Sequence, residues 1–336
     1  MASTRKLVTL IAPAFNEADN AAGLVAFVRE IRAAHPDLDF ELVVVDDGST
    51  DGTAQIVLDA LGEGDTDGEL ARVAQLSRNF GSHAAITAGL ALARGDCALT
   101  LSTDLQEPLE AIGRFLTEWR AGADIVWGVR ETRAVPKGLA NLMSRWFSSV
   151  FQRMSSIPTY PKDGPSQILV ARNVIDTVNA MPETNRNVLG MVAWVGFTQT
   201  TIQFEQLPRP AGKSKWTSKK KIRLVVDSFV EFSAAPFLIT FLLGLFICLL
   251  GFAGLGVTLL VALITLSAPA VWLLVLSSVF LLGGLNLAAL GGFGEYLWRA
   301  GDDARRRPVY ILRGVQDIGA APANADNRVA ERAARP

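Results

Sequence analysis

The chain has 336 residues, half of them hydrophobic, with 32 basic and 33 acidic side chains and a formal net charge of −1. That length holds one sizeable domain and something smaller, and the near-balance of charge argues against nucleic acid as a main partner. Two cysteines far apart, Cys97 in an expected core strand and Cys248 in an apolar span, give no disulfide framework and fit a reducing, cytoplasmic setting.

From the N-terminus, Met1 to Lys6 lead directly into Leu7-Val8-Thr9-Leu10-Ile11, a stretch too short and too soon interrupted by Pro13 and Asn16 for a secretory apolar region. The catalytic portion is therefore expected to stay on the side where it was made. Apolar runs at 7–12, 41–45, 98–101 and 124–129 are short and rich in Val, Leu and Ile. They alternate with helix-like stretches such as Ala21 to Ala34 and Gly81 to Ala93, a rhythm that predicts an α/β domain with a mostly parallel, Rossmann-like sheet flanked by helices. Such sheets bind ligands beyond the carboxyl ends of their strands. Those ends carry Asn16 and Glu17, Asp46 and Asp47, then Asp104 and Gln106.

Residues 137–156 read as an amphipathic helix. Leu139, Leu142, Met143, Trp146, Phe147, Val150 and Phe151 recur at three-and-four spacing, which serves either a core-facing helix or one lying on a bilayer surface. A second such segment, GKSKWTSKKKIRLVVDSFVEFS within 212–234, gathers six cations around Trp216 just before an apolar span, which favours contact with anionic headgroups or a lipid phosphate over a solvated face. Residues 235–297 then hold two spans, Pro236 to about Thr265 and about Ala270 to Tyr296, each long enough for a hydrocarbon core of roughly 30 Å. Leu266-Ser267-Ala268-Pro269 joins them as a hairpin turn. Lysines before the first span and arginines after the second place both termini in the cytoplasm, so the expected location is the inner (plasma) membrane. Glycines such as Gly244, Gly251, Gly283 and Gly291 would let the hairpins of several copies associate. Residues 298–336 read as a cytoplasmic tail, disordered from Gly314 onward.

The chemistry concentrates at the strand ends. In APAFNEADN, Pro13, Asn16 and Glu17 follow the first strand, and Asn16 to Asn20 can also cap the next helix. In ELVVVDDGSTDGT a buried strand ends in two adjacent acids, which repel each other unless they bind donors such as ribose hydroxyls and a base N–H. Arg78, at the end of another strand, suits a diphosphate oxygen, or a pairing with Asp46 or Asp104. His83 reads as a surface or cap residue and His35 as loop. In ALTLSTDLQEPLE, Asp104 and the Gln106 amide oxygen, together with a diphosphate, suffice for a Mg2+ or Mn2+ ion, which prefers oxygen ligands and retains water. Ser102 ligates weakly, orients a water, or does neither.

These residues resemble glycosyltransferase family 2, with its GT-A sheet, and in particular the membrane-anchored polyprenyl-phosphate glycosyltransferases similar to dolichol-phosphate mannose synthase. The resemblance covers Leu7 to about Arg313 and rests also on RNFGSHAAITAGL, NRNVLGMVAWVGF, AGKSKWTSKKK and GEYLWRAGDDARRRPVYILR. It implies that Pro13, Asn16, Glu17, Asp46 and Asp47 hold the nucleoside. It also maps an Asp-x-Asp-x-Gln metal pattern onto Ser102, Asp104 and Gln106, with Ser102 departing from it. A further acidic segment of the family looks like KDGPSQILVAR, where Asp163 and Ser166 match and a Phe-Arg pair is replaced by Gln167 and Ile168. Asp163 would orient the acceptor phosphate more than activate it, because a lipid phosphate is already nucleophilic at neutral pH. Arg186 looks like an acceptor-phosphate contact, and Arg209, Lys213 and Lys215 resemble a basic loop that closes over donor and acceptor.

The expected activity is inverting transfer of a hexose from a nucleotide sugar, UDP being the commonest donor among similar bacterial members, to undecaprenyl phosphate. Three competitors differ in kind. A non-catalytic binding subunit would explain Ser102. A transporter is disfavoured by spans that carry no charged residue before Glu295 at the very end of the second. A processive polysaccharide synthase would need a Gln-x-x-Arg-Trp segment and more spans.

Overall fold

The computed structural model describes residues 5–62, 70–131, 161, 165–183, 186–207 and 304–319, with position 246 and isolated positions from 272 to 301. The expected amphipathic helix at 137–156, the basic segment at 212–234, most of the two spans at 235–297 and residues 320–336 lie outside them. The chain divides into two compact units: Met1–Gln152, Ile157–Trp216 and Pro308–Pro336 form one, Arg153–Ser156 and Thr217–Arg307 the other. Among the described residues no helix is long and apolar enough to cross a membrane.

The first unit is built on one sheet. Strands β1 (Leu7–Ala14), β2 (Asp39–Asp46), β3 (Leu70–Leu76) and β4 (Cys97–Thr100) alternate with helices α1 (Ala18–Ala34), α2 (Thr53–Gly62) and α3 (Ser82–Leu92). Then come α4 (Leu109–Arg120), β5 (Ile125–Arg130), β6 (Pro165–Ala171), α5 (Arg172–Ala180), α6 (Val188–Trp194), β7 (Gln199–Phe204) and β8 (Leu312–Ile318). Their spatial order is β7-β5-β6-β4-β1-β2-β3-β8. The central ladders of β1 with β2 and β4, and of β2 with β3, are parallel; β6 runs antiparallel to β4 and β5, and β8 antiparallel to β3.

Strand β2 shows why the sheet needs cover on both faces. Leu42 and Val44 point into the core shared with α1, α2 and α4, whereas Val43 and Val45 point into a second core against Ala85, Ala88 and Leu92 of α3. All four are fully buried, a contribution of about 1.5–3 kcal/mol for each side chain. The helices answer with stripes: Ala111, Ile112, Phe115, Leu116 and Trp119 of α4 recur at three-and-four spacing and are buried.

Two expectations change. Residues 314–318, expected in a disordered tail, belong to β8. Its mostly exposed residues show no alternating apolar pattern, but Ile318 packs on the main core, and Asp317 accepts a hydrogen bond from Arg72 Nε at 2.6 Å and lies 3.7 Å from Arg94 Nη2. Asn16 and Asn20 do not cap α1. The Ala18 N–H at its start is taken by Asp51 Oδ2 at 3.1 Å, from the loop after β2, while Asn20 Nδ2 donates to Glu17 Oε2.

Candidate active site

The carboxyl ends of β1, β2, β3 and β4 are stitched into one edge. The loop after β1 and the loop after β2 exchange hydrogen bonds: Asn16 N–H donates to Ser49 Oγ at 2.8 Å, Thr50 N–H to Asn16 Oδ1 at 2.9 Å, and Glu17 N–H to Thr53 Oγ1 at 2.9 Å. Asn16 adopts φ +53°, a left-handed conformation that asparagine tolerates better than most residues. Pro13 contributes a backbone oxygen, which accepts from Thr103 Oγ1 at 3.4 Å and so ties this loop to the end of β4.

The doubled acid divides its work. Asp46 Oδ1 accepts Ser49 N–H at 3.0 Å and closes the turn after β2. Both oxygens of Asp47 are taken by backbone donors of the loop after β3, Phe80 N–H at 2.6 Å and Gly81 N–H at 2.8 Å. Burial raises the Asp47 carboxyl above its ordinary range and the charge of Asp46 adds to this, while the two N–H groups and Arg78 oppose it. Gly48 sits between the loops at φ +73°, where a Cβ would come within 2.6 Å of the Arg78 carbonyl carbon. Arg78 is exposed; its guanidinium lies 3.9 Å from the Phe80 ring centroid, and Nη1 donates to Asn79 O. It pairs with neither Asp46 nor Asp104. His83 lies in the first turn of α3, and His35 follows the end of α1.

The segment after β4 is held from below. Leu105 has φ +54°, a strained value for a bulky residue, and its side chain packs on the main core beside Gly23 of α1. That anchor presents Asp104 and Gln106 on either side of it. Gln106 is committed to the segment leaving β7: Oε1 accepts Gln206 Nε2 at 2.7 Å, Nε2 donates to Leu207 O at 3.0 Å, and its backbone oxygen accepts Leu207 N–H at 2.9 Å. Ser102 Oγ donates to Glu107 Oε1 at 2.6 Å, Ser102 N–H donates to Glu107 Oε2 at 3.2 Å, and Gln167 Nε2 donates to both Ser102 Oγ at 2.9 Å and Glu107 Oε1. Burial pushes the Glu107 carboxyl up to about 7; Asp104 adds to this, and the two Ser102 donors oppose it.

Among the described residues no cluster of three His, Cys, Asp or Glu side chains could hold a metal ion. The oxygen set of Asp104 and Ser102, with the Gln106 amide two residues beyond Asp104, suits a hard divalent cation whose remaining ligands come from a diphosphate and water.

The acceptor-side residues are less gathered. Ser166 Oγ donates to Gly128 O at 3.1 Å across the β5–β6 ladder. Arg186 donates from Nε to Glu183 O at 2.8 Å and from Nη2 to Met181 O, and its charge faces Tyr310. Asn187 caps α6 by accepting Gly190 N–H at 3.2 Å. Asp163, Arg209, Lys213 and Lys215 lie outside the described residues. Sequence reasoning missed Glu107 and Gln206 as structural partners of the site; the visible signal was an unexplained acid five residues after a serine where the family pattern has Asp.

A mostly parallel sheet flanked by helices, whose β1, β2 and β4 ends converge on acidic, hydroxyl-rich loops, is a GT-A-like α/β fold. Residues 9–170 match the model described as "Glycosyl transferase family 2", and the chain belongs to that family. It is 31% identical over 306 residues to an uncharacterized glycosyltransferase of Synechocystis sp., covering 91% of this chain and 94% of the relative. It is 30% identical over 307 residues to a bactoprenol glucosyl transferase of Shigella phage SfV, covering 91% of this chain and 98% of the relative. A solved mannosyltransferase of Pyrobaculum calidifontis in complex with GDP-Man and Mn2+ aligns at TM-score 0.49 and 17% identity, covering 99% of this chain and 81% of that one.

Proposed function

We propose that this glycosyltransferase moves a hexose, with inversion, from a nucleotide sugar to a polyprenyl phosphate at the cytoplasmic face of the inner membrane. The donor half is carried by one observation: the loops after β1 and β2 are interlocked, and Thr103 ties them to the Asp104 segment. A nucleoside fits against Asn16, Glu17 and Asp46, with its diphosphate toward Asp104. Exposed Arg78 is a fork for a diphosphate oxygen. A Mg2+ or Mn2+ ion at Asp104, with Ser102 and Gln106, would supply positive charge to the departing diphosphate.

The acceptor half draws on the bactoprenol glucosyl transferase likeness and on features of each unit. The described positions from 272 to 301 are all helical, and Trp272, Val279, Leu282, Leu290, Phe293 and Leu297 among them are exposed. Large apolar side chains at such spacing call for an apolar surrounding. Strand β8 follows the apolar stretch yet joins the same sheet as β3, which precedes it, so a chain crossing a bilayer in between must cross an even number of times. That supports the two-span hairpin with both ends on one side. Asp163 would orient the acceptor phosphate, whose oxygen attacks the anomeric carbon as the bond to the diphosphate breaks. Ser166, Arg186, Arg209, Lys213 and Lys215 would hold that phosphate, and hairpins of several copies would associate in the membrane.

The test is transfer by purified full-length protein in detergent, with undecaprenyl phosphate and a panel of labelled UDP- and GDP-sugars, in Mg2+, Mn2+ or EDTA. Label in the organic phase that needs a divalent ion, and that Asp104→Ala abolishes, is the expected result. Nucleotide binding with no lipid product from any donor would overturn the proposal in favour of a binding subunit.

A further inference from the structure

The cluster at the end of β4 contains a carboxylate that no step above uses. Glu107 is 2% exposed and Gln167 4%, yet both are polar and both converge on Ser102. The hydroxyl of Ser102 donates to Glu107 Oε1 at 2.6 Å and accepts from Gln167 Nε2 at 2.9 Å. A serine oxygen has two lone pairs, so one acceptor site remains on Oγ after the Gln167 bond. A hydroxyl whose proton is given to a carboxylate carries a more electron-rich oxygen, and so makes a better ligand for a cation. The family pattern puts an acid at position 102. An aspartate there would meet Glu107 at contact distance with both groups desolvated, and like charges so placed are costly. Here the pair has one carboxyl, that of Glu107, which meets Ser102 from five residues further along the chain. Gln167 from β6 holds both members, so the unit is fixed by a strand as well as by its own loop.

We infer that Glu107 is a positioning residue that supplies, through the Ser102 hydroxyl, the negative charge toward a divalent cation at Asp104 that position 102 does not itself carry. This rests on the reading of that edge as the donor-diphosphate and cation site. Its chemistry is second-layer support of a metal ligand, whose loss in metal sites costs roughly 10- to 100-fold in affinity.

The probe is Mn2+ in the presence of UDP, followed by the electron paramagnetic resonance of the free ion, with full-length protein in detergent and folding checked by circular dichroism. Wild type should bind and Asp104→Ala should not; equal binding by these two would sink the underlying site reading itself. Given that difference, Glu107→Gln and Ser102→Ala should each weaken Mn2+ binding about tenfold, and the double variant should be no weaker than either single, because both cut the same relay. The discriminating variant is Ser102→Asp combined with Glu107→Gln, which moves the carboxylate to the site edge and should restore affinity to within about threefold of wild type. A merely structural Glu107 would not be rescued in this way. Wild-type affinity in Glu107→Gln, additive losses in the double variant, or no rescue by the transposed pair would each overturn the inference. If Glu107→Gln fails to fold, Ser102→Ala and the transposed pair decide the question without it.

Discussion

Replacing Asp47 by asparagine tests whether the second acid of the pair works on the protein or only on a ligand. Its two oxygens accept Phe80 N–H at 2.6 Å and Gly81 N–H at 2.8 Å, and the residue is 3% exposed. Asparagine keeps one acceptor and turns an NH2 group toward the other backbone N–H. One charge-assisted bond is lost and one donor is stranded, a gross cost of about 2–4 kcal/mol. Relief of a desolvated charge beside Asp46 returns part of it, leaving a net of about 2 kcal/mol, or roughly a 30-fold shift in a local opening equilibrium. Hydrogen exchange read by mass spectrometry on peptides spanning 77–82 measures that opening directly. The expectation is about 30-fold faster exchange at residues 80 and 81, with Leu42 to Val45 in β2 unchanged, and a raised KM for donor because Arg78 rides on the loosened loop. Exchange at 80 and 81 within about threefold of wild type would refute the reasoning, as would equal acceleration throughout β2.

Gly48→Ala should lower the melting temperature by roughly 5 °C or more, since a left-handed alanine costs about 1–2 kcal/mol and its Cβ meets the Arg78 backbone. Gly52→Ala, at φ +83° with open space around its Cβ, bears only the conformational cost and should lose less; equal losses would discard the close-approach argument. Gln106→Ala removes the side-chain bonds to Gln206 and Leu207, so the Leu207 amide should exchange about fivefold faster, and an unchanged rate would show that the backbone bond alone holds the two segments. Glu41 is fully buried, and burial raises its carboxyl above the ordinary 4.5 against the opposing pull of Arg94, Thr9 and Arg172. Its contribution is therefore complete below pH 4.5 and is lost as pH rises through the higher folded value. Melting curves of wild type and Glu41→Gln should move apart over that window, with wild type losing more; parallel profiles would contradict the shift.

Strands β1, β2, β4 and β5 were legible because each is a run of apolar residues buried on both faces, and such runs have few other uses. The edge strands were not. Strand β7, QTTIQF, alternates polar residues with Ile202 and Phe204, and a short polar-leaning segment of this kind announces little by itself. Strand β8 is exposed along most of its length and is fixed by a partner 245 residues away in sequence, which no local pattern can reveal. At the site, the spacing of acids correctly marked the strand ends. It could not divide labour between Asp46 and Asp47, because that depends on which backbone N–H groups the loop after β3 brings within reach. Likewise the role of Ser102 stayed open between weak ligand, water-orienting group and neither, since its partners Glu107 and Gln167 meet only when β4 lies beside β6.

Strand β8 also fixes the order in which this protein can be finished. When the ribosome has made the first 207 residues, β3 has an open edge, and Arg72, with one bond to Leu92 O, still lacks Asp317. An open edge is a template for pairing with other chains. The strand that closes it is translated only after the apolar stretch has emerged, so a nascent chain whose apolar segment stalls keeps an incomplete sheet and remains a target for chaperones or proteases. Closure of the last ladder therefore cannot come before the whole apolar segment has been made.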